Sequence, residues 1–178
     1  MKNKRWMVVA AAAVVLSGWY VYRTYPRHVA ITIQGIQYQL GAASQRIRPV
    51  TLTVRGSRDR SLFGPEKFFG TVNISGASMP DRGNGQYLQI VFAPGSGGIL
   101  SYYESASPHY YYYGALFPNQ HFTRFTVTEW QQGPHGAGFD EANGLVISAP
   151  AKTRAQALRM SNELMKSWSA LLTGYPLK

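Results

Sequence analysis

Most of the chain alternates apolar and polar residues with a period of two, which predicts β-strands. The clearest example is 50–55, where Val50, Leu52 and Val54 fall on one face of a strand and threonines separate them. Similar alternation, or a short β-branched and aromatic run, recurs at 30–33, 36–40, 68–75, 86–92, 99–103, 110–117, 122–130 and 145–148. Asn-Gly pairs at 84–85 and 143–144 are strong turn signals. The strands are therefore expected to follow one another in antiparallel series, with Gly35 either bending one strand or separating two.

The pattern changes near the C-terminus, where it predicts one amphipathic helix at 153–172. Apolar residues recur there at steps of three and four, from Ala157 through Met165 to Leu172, and Gly174 follows as a stop. Serial antiparallel strands with one terminal helix predict an α+β class, with a mostly antiparallel β domain at 29–178.

Residues 6–22 carry no charge, and Lys2, Lys4 and Arg5 stand directly before them. Such a run predicts a transmembrane helix, with the basic tail at 1–5 in the cytoplasm and a juxtamembrane link at 23–28. The lipid bilayer is then a partner through residues 6–22. This interpretation makes the chain a single-pass plasma-membrane protein with a signal-anchor and an extracytoplasmic domain in the cell envelope.

Two other interpretations of this run remain open. A cleaved signal peptide would also start with basic residues and an apolar run, although the best small-residue cleavage site, before Gly18, is poor. A buried core helix is the third, and the terminal position and basic flank are unfavourable to it.

Composition limits how the domain is stabilised. Beyond the apolar run about 150 residues remain, enough for one domain with its own core. The sequence has no cysteine, so it has neither disulfides nor thiolate zinc sites. An exported domain without disulfides is typical of Gram-positive bacteria more than of eukaryotic secreted modules.

The charge is concentrated in two places. The formal net charge is +10, but five of the 18 basic residues flank the apolar run, which leaves the domain with about +5. Arg55, Arg58, Arg60 and Lys67 lie close together in sequence and are candidate binding residues for an anionic wall polymer or anionic lipid. The alternative is a solvated arginine-rich hairpin. No nucleic-acid partner is expected outside the cell.

The segment 51–75, TLTVRGSRDRSLFGPEKFFGTVNIS, together with the N-terminal run, carries a resemblance. It is similar to uncharacterised small membrane-anchored proteins of Bacillus-like Gram-positive bacteria, in which a strand leads through a Leu-Phe … Phe-x-Gly turn to a second strand. The resemblance implies a membrane location and β structure, and it transfers no catalytic residue.

Candidate chemistry is sparse. The Ser96 turn lacks the Gly-x-Ser-x-Gly spacing of a nucleophile elbow, and its glycines lack the Lys-Ser/Thr of a P-loop. His135, Asp140 and Glu141 share a loop that could hold an ion, but equally could be only polar and mobile. No catalytic residue, metal or cofactor is therefore predicted. The alternative is an envelope hydrolase with paired carboxylates, for which Glu104 and Glu129 are the pair nearest the aromatic strands.

Tyrosine is the one unusual feature of the composition. Tyr110, Tyr111, Tyr112 and Tyr113 are consecutive, so on a strand alternate members face opposite sides. One pair is expected in the core and the other against solvent or a partner, unless the terminal helix covers it. The sequence thus favours a binding or accessory module for an anionic envelope polymer or an envelope protein, with these tyrosines as contact area.

Overall fold

The computed structural model describes residues 2–41, 47–61, 64–76, 86–93, 96–104, 109–133, 136–172 and 176–178, and their side chains except at 2–9, 104, 109, 171 and 172. The helices are α1 (Lys2–Thr24), α2 (Arg154–Leu164) and α3 (Lys166–Leu172). The strands are β1 (Arg27–Gln39), β2 (Ile47–Asp59), β3 (Glu66–Ser75), β4 (Leu88–Ala93), β5 (Gly97–Glu104), β6 (His109–Pro118), β7 (Phe125–Glu129), β8 (Gln131–Gly133), β9 (Gly136–Gly138) and β10 (Leu145–Ala149).

Eight strands form a closed antiparallel barrel in the order β1, β2, β3, β4, β5, β6, β7, β10. Each strand pairs with the next along the chain, and β10 closes the barrel against β1, with Ile36 opposite Ser148 and Gln39 opposite Leu145. Strands β8 and β9 form a separate hairpin between β7 and β10. Closure gives each of these eight strands a hydrogen-bonded neighbour on both sides.

The barrel interior is a packed core. Alternate residues of each strand point inward, and Leu52, Phe68, Leu100 and Val127 have no exposed surface. Large aliphatic and aromatic side chains fill an interior of this strand number. Burial of these side chains is the main driving force for folding.

Strand β1 is one continuous strand, with Gly35 opposite Val50 in its register with β2. A Cβ on Gly35 would lie 2.7 Å from the Cβ of Ala149. The glycine therefore lets β10 approach β1 closely at the seam of the barrel.

One end of the barrel is closed by the loop between β6 and β7. Phe122 lies in this loop with a φ of 56°, and its ring packs 5.9 Å from that of Phe68 and 5.8 Å from that of Phe125. The Asn119 side chain holds the loop by accepting hydrogen bonds from the backbone amides of Thr123 (2.8 Å) and Arg124 (3.1 Å). The predicted strand at 122–130 therefore begins three residues later, at Phe125.

A second core lies outside the barrel, where the terminal helices cover the outer face of β1, β10, β7 and β6. Met165 is fully buried there, and Trp168 contacts the Phe117 ring at 5.8 Å between centroids. Thr153 caps α2, since its side chain accepts a hydrogen bond from the backbone amide of Gln156. The chain forms two helices separated at Met165, where the sequence predicts one helix at 153–172.

The predicted α+β class, with a transmembrane helix and one terminal helix, is wrong, and the chain is a mostly β closed barrel. The β-rich domain itself is confirmed. Periodicity identifies which residues share a strand face, but closure requires β1 to pair with β10, near the other end of the sequence. No local pattern specifies that pairing.

Helix α1 contains the apolar run that predicts the anchor. Among the residues that the structure describes, no helix is long and apolar enough to cross a membrane. Alanines at 10–13, together with Ser17, Gly18 and Tyr20, contribute little favourable transfer free energy to the run. The finding contradicts the predicted transmembrane helix at 6–22, the signal-anchor, and the single-pass plasma-membrane location inferred from them.

Candidate functional site

The outer face of β4, β5 and β6 carries a group of exposed apolar side chains. We call it the tyrosine face, and it consists of Tyr87, Val91, Ile99, Tyr103, Tyr110 and Tyr112. Tyr103 is 47% exposed, Tyr110 59% and Tyr112 42%. Soluble proteins rarely leave adjacent large apolar side chains uncovered without a use for them.

The tyrosine face has a defined geometry. Tyr103 and Tyr110 are directly opposite in the β5–β6 register, and their rings meet edge to face with centroids 5.7 Å apart. The Gln86 side chain bonds both backbone groups of Tyr103, donating to its carbonyl at 2.6 Å and accepting from its amide at 3.0 Å. Gln132, in the β8–β9 hairpin, donates to the Tyr112 carbonyl at 2.8 Å. The Gln86 and Gln132 side chains thus bond to backbone groups of β5 and β6 that have no partner in a described neighbouring strand.

The alternate tyrosines face inward, as the strand period predicts. Tyr113 is 2% exposed, and its hydroxyl donates to the Glu129 carboxylate, which also accepts from Gln37 Nε2 at 2.6 Å. Burial raises the pKa of Tyr113, and the Glu129 charge raises it further because a second negative charge is unfavourable there. Burial also raises the pKa of Tyr102, whose hydroxyl donates to the Val72 carbonyl at 3.0 Å.

The carboxylate pair of the hydrolase hypothesis is described only in part. Both oxygens of Glu129 are engaged by protein donors, which is the arrangement of a structural carboxylate at the end of the barrel interior. Glu104 ends β5 opposite His109, and the side chains of both lie outside the described residues. The hydrolase stays an untested prediction.

The four predicted basic residues are not one surface. Arg55 is exposed on the outer face of β2, and Lys67 is half-buried at the start of β3. Arg58 points into the barrel end and is 6% exposed, with Nη2 donating to Glu66 Oε2 at 2.7 Å. Arg60 donates to the Gln120 carbonyl at 2.8 Å.

The strand order separates Arg55, Arg58 and Arg60 from the tyrosine face, whereas Lys67 on β3 is directly opposite Val91 at the edge of that face. Strand β2 is three positions from β5 and four from β6 around an eight-stranded ring. Arg55 on β2 and the tyrosines of β5 and β6 therefore lie on different sides of the barrel, and a single flat ligand cannot contact both.

The loop suggested as a metal site does not assemble one in the part of the chain that is described. No group of three or more His, Asp or Glu side chains there could hold an ion, and His135 lies outside it. The Asp140 carboxylate instead accepts from the backbone amide of Ala142 at 2.8 Å, which organises the turn before β10.

A buried hydroxyl cluster under α2 has no counterpart in the sequence analysis. Ser161 accepts from the Tyr38 hydroxyl at 2.8 Å, lies 2.8 Å from the Ser148 hydroxyl, and lies 3.4 Å from that of Thr126. The helical spacing could have indicated that Ser161 is buried. Ala157, Ser161 and Met165 are four residues apart and so share the buried face of the helical segment. The cluster fixes α2 against β1, β7 and β10.

Chemically, the tyrosine face offers aromatic surfaces, hydroxyls and amides, and Lys67, opposite Val91, adds a positive charge at its edge. Comparison with protein-family models, with curated proteins and with solved structures finds no match. The resemblance of 51–75 to small membrane-anchored proteins therefore stays an untested prediction.

Proposed function

We propose that this protein is a binding module that holds a neutral polyhydroxylated polymer, such as a glycan chain, on the tyrosine face. The observation that carries the proposal is the exposure of Tyr103, Tyr110 and Tyr112 side by side on two paired strands. A sugar ring has an apolar face of C–H groups and a rim of hydroxyls. An exposed tyrosine complements both, because it combines a flat apolar ring with a hydroxyl.

The neighbouring outward positions support a neutral ligand. Gln89, Ser101 and Ile99, which are exposed or half-buried on β4 and β5, are uncharged, and a charged neighbour, Lys67, is opposite Val91 at the β3 edge of the face. Amides and hydroxyls can donate to and accept from sugar hydroxyls. The exposed Arg55, a basic partner for an anionic polymer, lies on β2, on another side of the barrel.

The rigid strands behind the face also favour binding. Tyr102 and Tyr113 anchor β5 and β6 from inside through buried hydroxyls. A preorganised face loses little conformational entropy on association, and aromatic side chains with two rotatable bonds lose less than long charged ones.

The direct test is retention on insoluble polysaccharides of different backbone chemistry, followed by calorimetry with soluble oligosaccharides from any that bind. The triple substitution Tyr103→Ser, Tyr110→Ser, Tyr112→Ser should abolish retention while leaving the thermal unfolding midpoint nearly unchanged. Tyr25→Ser is the matched control, because Tyr25 is 68% exposed but lies outside the face.

The dependence of retention on salt concentration distinguishes this proposal from binding of an anionic polymer by the basic residues. Retention by stacking should persist as salt rises from about 0.05 M to about 0.5 M, where exposed ion pairs are strongly screened. If retention disappears with salt and with Arg55→Ala, but survives the triple substitution, an anionic ligand is bound elsewhere and the proposal fails. If the triple substitution changes only self-association, the face is a protein contact.

A further inference from the structure

A groove runs along the outside of the barrel beside the start of α2, away from the tyrosine face. Its volume is about 890 Å³, within the range of small-molecule sites. Its floor is formed by the outward side chains of β1 and β2, and its wall by the turn that leads into α2.

An apolar strip runs along the groove, beside the polar side chains of Gln34, Thr51 and Ser75. Ile36 is opposite Pro49 in the β1–β2 register, and Ile47 extends the same face with 46% of its surface exposed. Pro150 and Ala151 line the facing wall. Ile36 and Ala151 are almost fully buried beneath the strip, and the exposed Ile47, Pro49 and Pro150 give the hydrocarbon surface on which an aliphatic chain can lie.

The α2 end of the groove is positive. Lys152 is the one charged residue among the described side chains that line it, and it is exposed. The Gln156 side chain stands beside it, fixed by a hydrogen bond that its oxygen accepts from the Lys152 backbone amide at 3.0 Å. The partial positive charge at the start of the 11-residue helix α2 acts in the same direction.

We propose that this groove binds a single-chain amphiphile with a carboxylate head, that is, a fatty acid of medium length. Lys152 and the Gln156 amide receive the carboxylate, and the tail lies along Pro150, Pro49 and Ile47. The Lys152 charge favours a carboxylate head group over the alternatives. It would repel an ammonium head group, and an uncharged head group would form no ion pair with it. The site is independent of the tyrosine face, since the two share no residue.

The test uses the full chain with octanoate, decanoate and dodecanoate below their micellar concentrations, measured by calorimetry and native mass spectrometry. Binding should be one to one, and affinity should rise about fourfold for each methylene that enters the groove. Dodecanol should bind about tenfold more weakly than dodecanoate, because it lacks the charge-assisted hydrogen bonds.

Two kinds of substitution locate the ligand. Lys152→Gln should weaken dodecanoate about tenfold and leave dodecanol unchanged, whereas the matched control Lys166→Gln, exposed on α3, should change neither. Thr51→Trp, which places a large ring in the groove, should abolish the binding of both. Gln34→Trp provides a second filling variant from an exposed lining position, should the first fail to fold.

The outcomes are distinguishable. Dodecanoate that binds equally well to the wild type, Lys152→Gln and both filling variants is held elsewhere, for example on the exposed apolar side chains of α1, and the proposal is wrong. Equal affinity for dodecanoate and dodecyltrimethylammonium also contradicts it. Loss of binding in the filling variants, with a head-group effect confined to Lys152, supports it.

Discussion

The guanidinium carbon of Arg58 lies 4.7 Å from the centroid of the Phe122 ring, inside one end of the barrel. The same guanidinium forms a bidentate pair with Glu66, and a third bond goes to the Gln120 carbonyl. Arg58 thus joins β2, β3 and the β6–β7 loop and holds the Phe122 ring in place. This position indicates a structural role for a residue that the sequence suggests as a ligand contact.

Arg58→Ala should lower the free energy of unfolding by about 3 kcal/mol, because it leaves the partly buried Glu66 carboxylate unpaired and uncovers Phe122. Arg55→Ala, exposed on the same strand, is the control and should change it by less than about 0.5 kcal/mol. Urea unfolding of both variants measures the difference. Equal effects would show that the Arg58 pair contributes no more than a surface charge.

Ser161→Ala tests the hydroxyl cluster under α2. The substitution removes a hydrogen-bond partner from the buried hydroxyls of Tyr38 and Ser148. The free energy of unfolding should therefore fall by about 1–3 kcal/mol. Ser167→Ala, exposed on α3, should have almost no effect. A stability unchanged by Ser161→Ala would mean that the remaining hydroxyls pair with one another at no cost.

The sequence predicts the tyrosine face better than it predicts the position of Arg58. The structure exposes Tyr110 and Tyr112. Alternation along 110–113 predicts only that these two share a face, because a strand has a strict period of two. It does not show that Arg58 is on the inward face, since the alternation of β2 continues past Gly56 into a segment that reads as a polar turn. A charge at an inward position is recognisable only once its partner Glu66 and the Phe122 ring are known.

Closure of the barrel and the amphiphile groove depend on contacts that no window of sequence contains. The groove needs Ile36, Pro49 and Ala151 together, which requires the β1–β2 register and the path of the chain after β10. A glycine in a strand can indicate that another backbone segment packs closely against it, but the sequence does not show which segment that is. Gly56 and Gly70, for example, are directly opposite, and a Cβ on Gly56 would lie 2.7 Å from the Gly70 Cα.

Gly114→Ala should be among the most damaging single changes in the barrel. Gly114 follows the bulge in the β5–β6 pairing, and an added Cβ would overlap the Thr128 carbonyl oxygen of β7. Backbone cannot move aside cheaply, so we expect a loss of more than about 3 kcal/mol or failure to fold. Gly138→Ala, where a Cβ meets no atom within 4 Å, is the control. A soluble Gly114→Ala protein with wild-type stability would contradict the close approach of β6 and β7.

Alkaline pH should destabilise the barrel through its buried tyrosines. Burial raises the pKa of Tyr102 and Tyr113 above their ordinary value of 10.0. A phenol with a raised pKa in the folded chain contributes its full stability below about pH 10, where it is protonated in both states. Above that pH the unfolded chain releases these protons while the folded chain keeps them. The free energy of unfolding should then fall with rising pH, by up to about 1.4 kcal/mol per pH unit for each tyrosine.

Urea unfolding between about pH 9 and about pH 11.5, with phenolate absorbance recorded in parallel, measures this slope. Tyr102→Phe should make the slope shallower, although it also lowers stability at neutral pH by removing the hydrogen bond to Val72. The comparison therefore uses slopes and not absolute stabilities. Tyr87→Phe, at a position 72% exposed, is the control and should leave the slope unchanged. If Tyr102→Phe and the wild type lose stability in parallel above pH 10, Tyr102 does not contribute to the alkaline transition, and its pKa is the same in the folded and the unfolded chain.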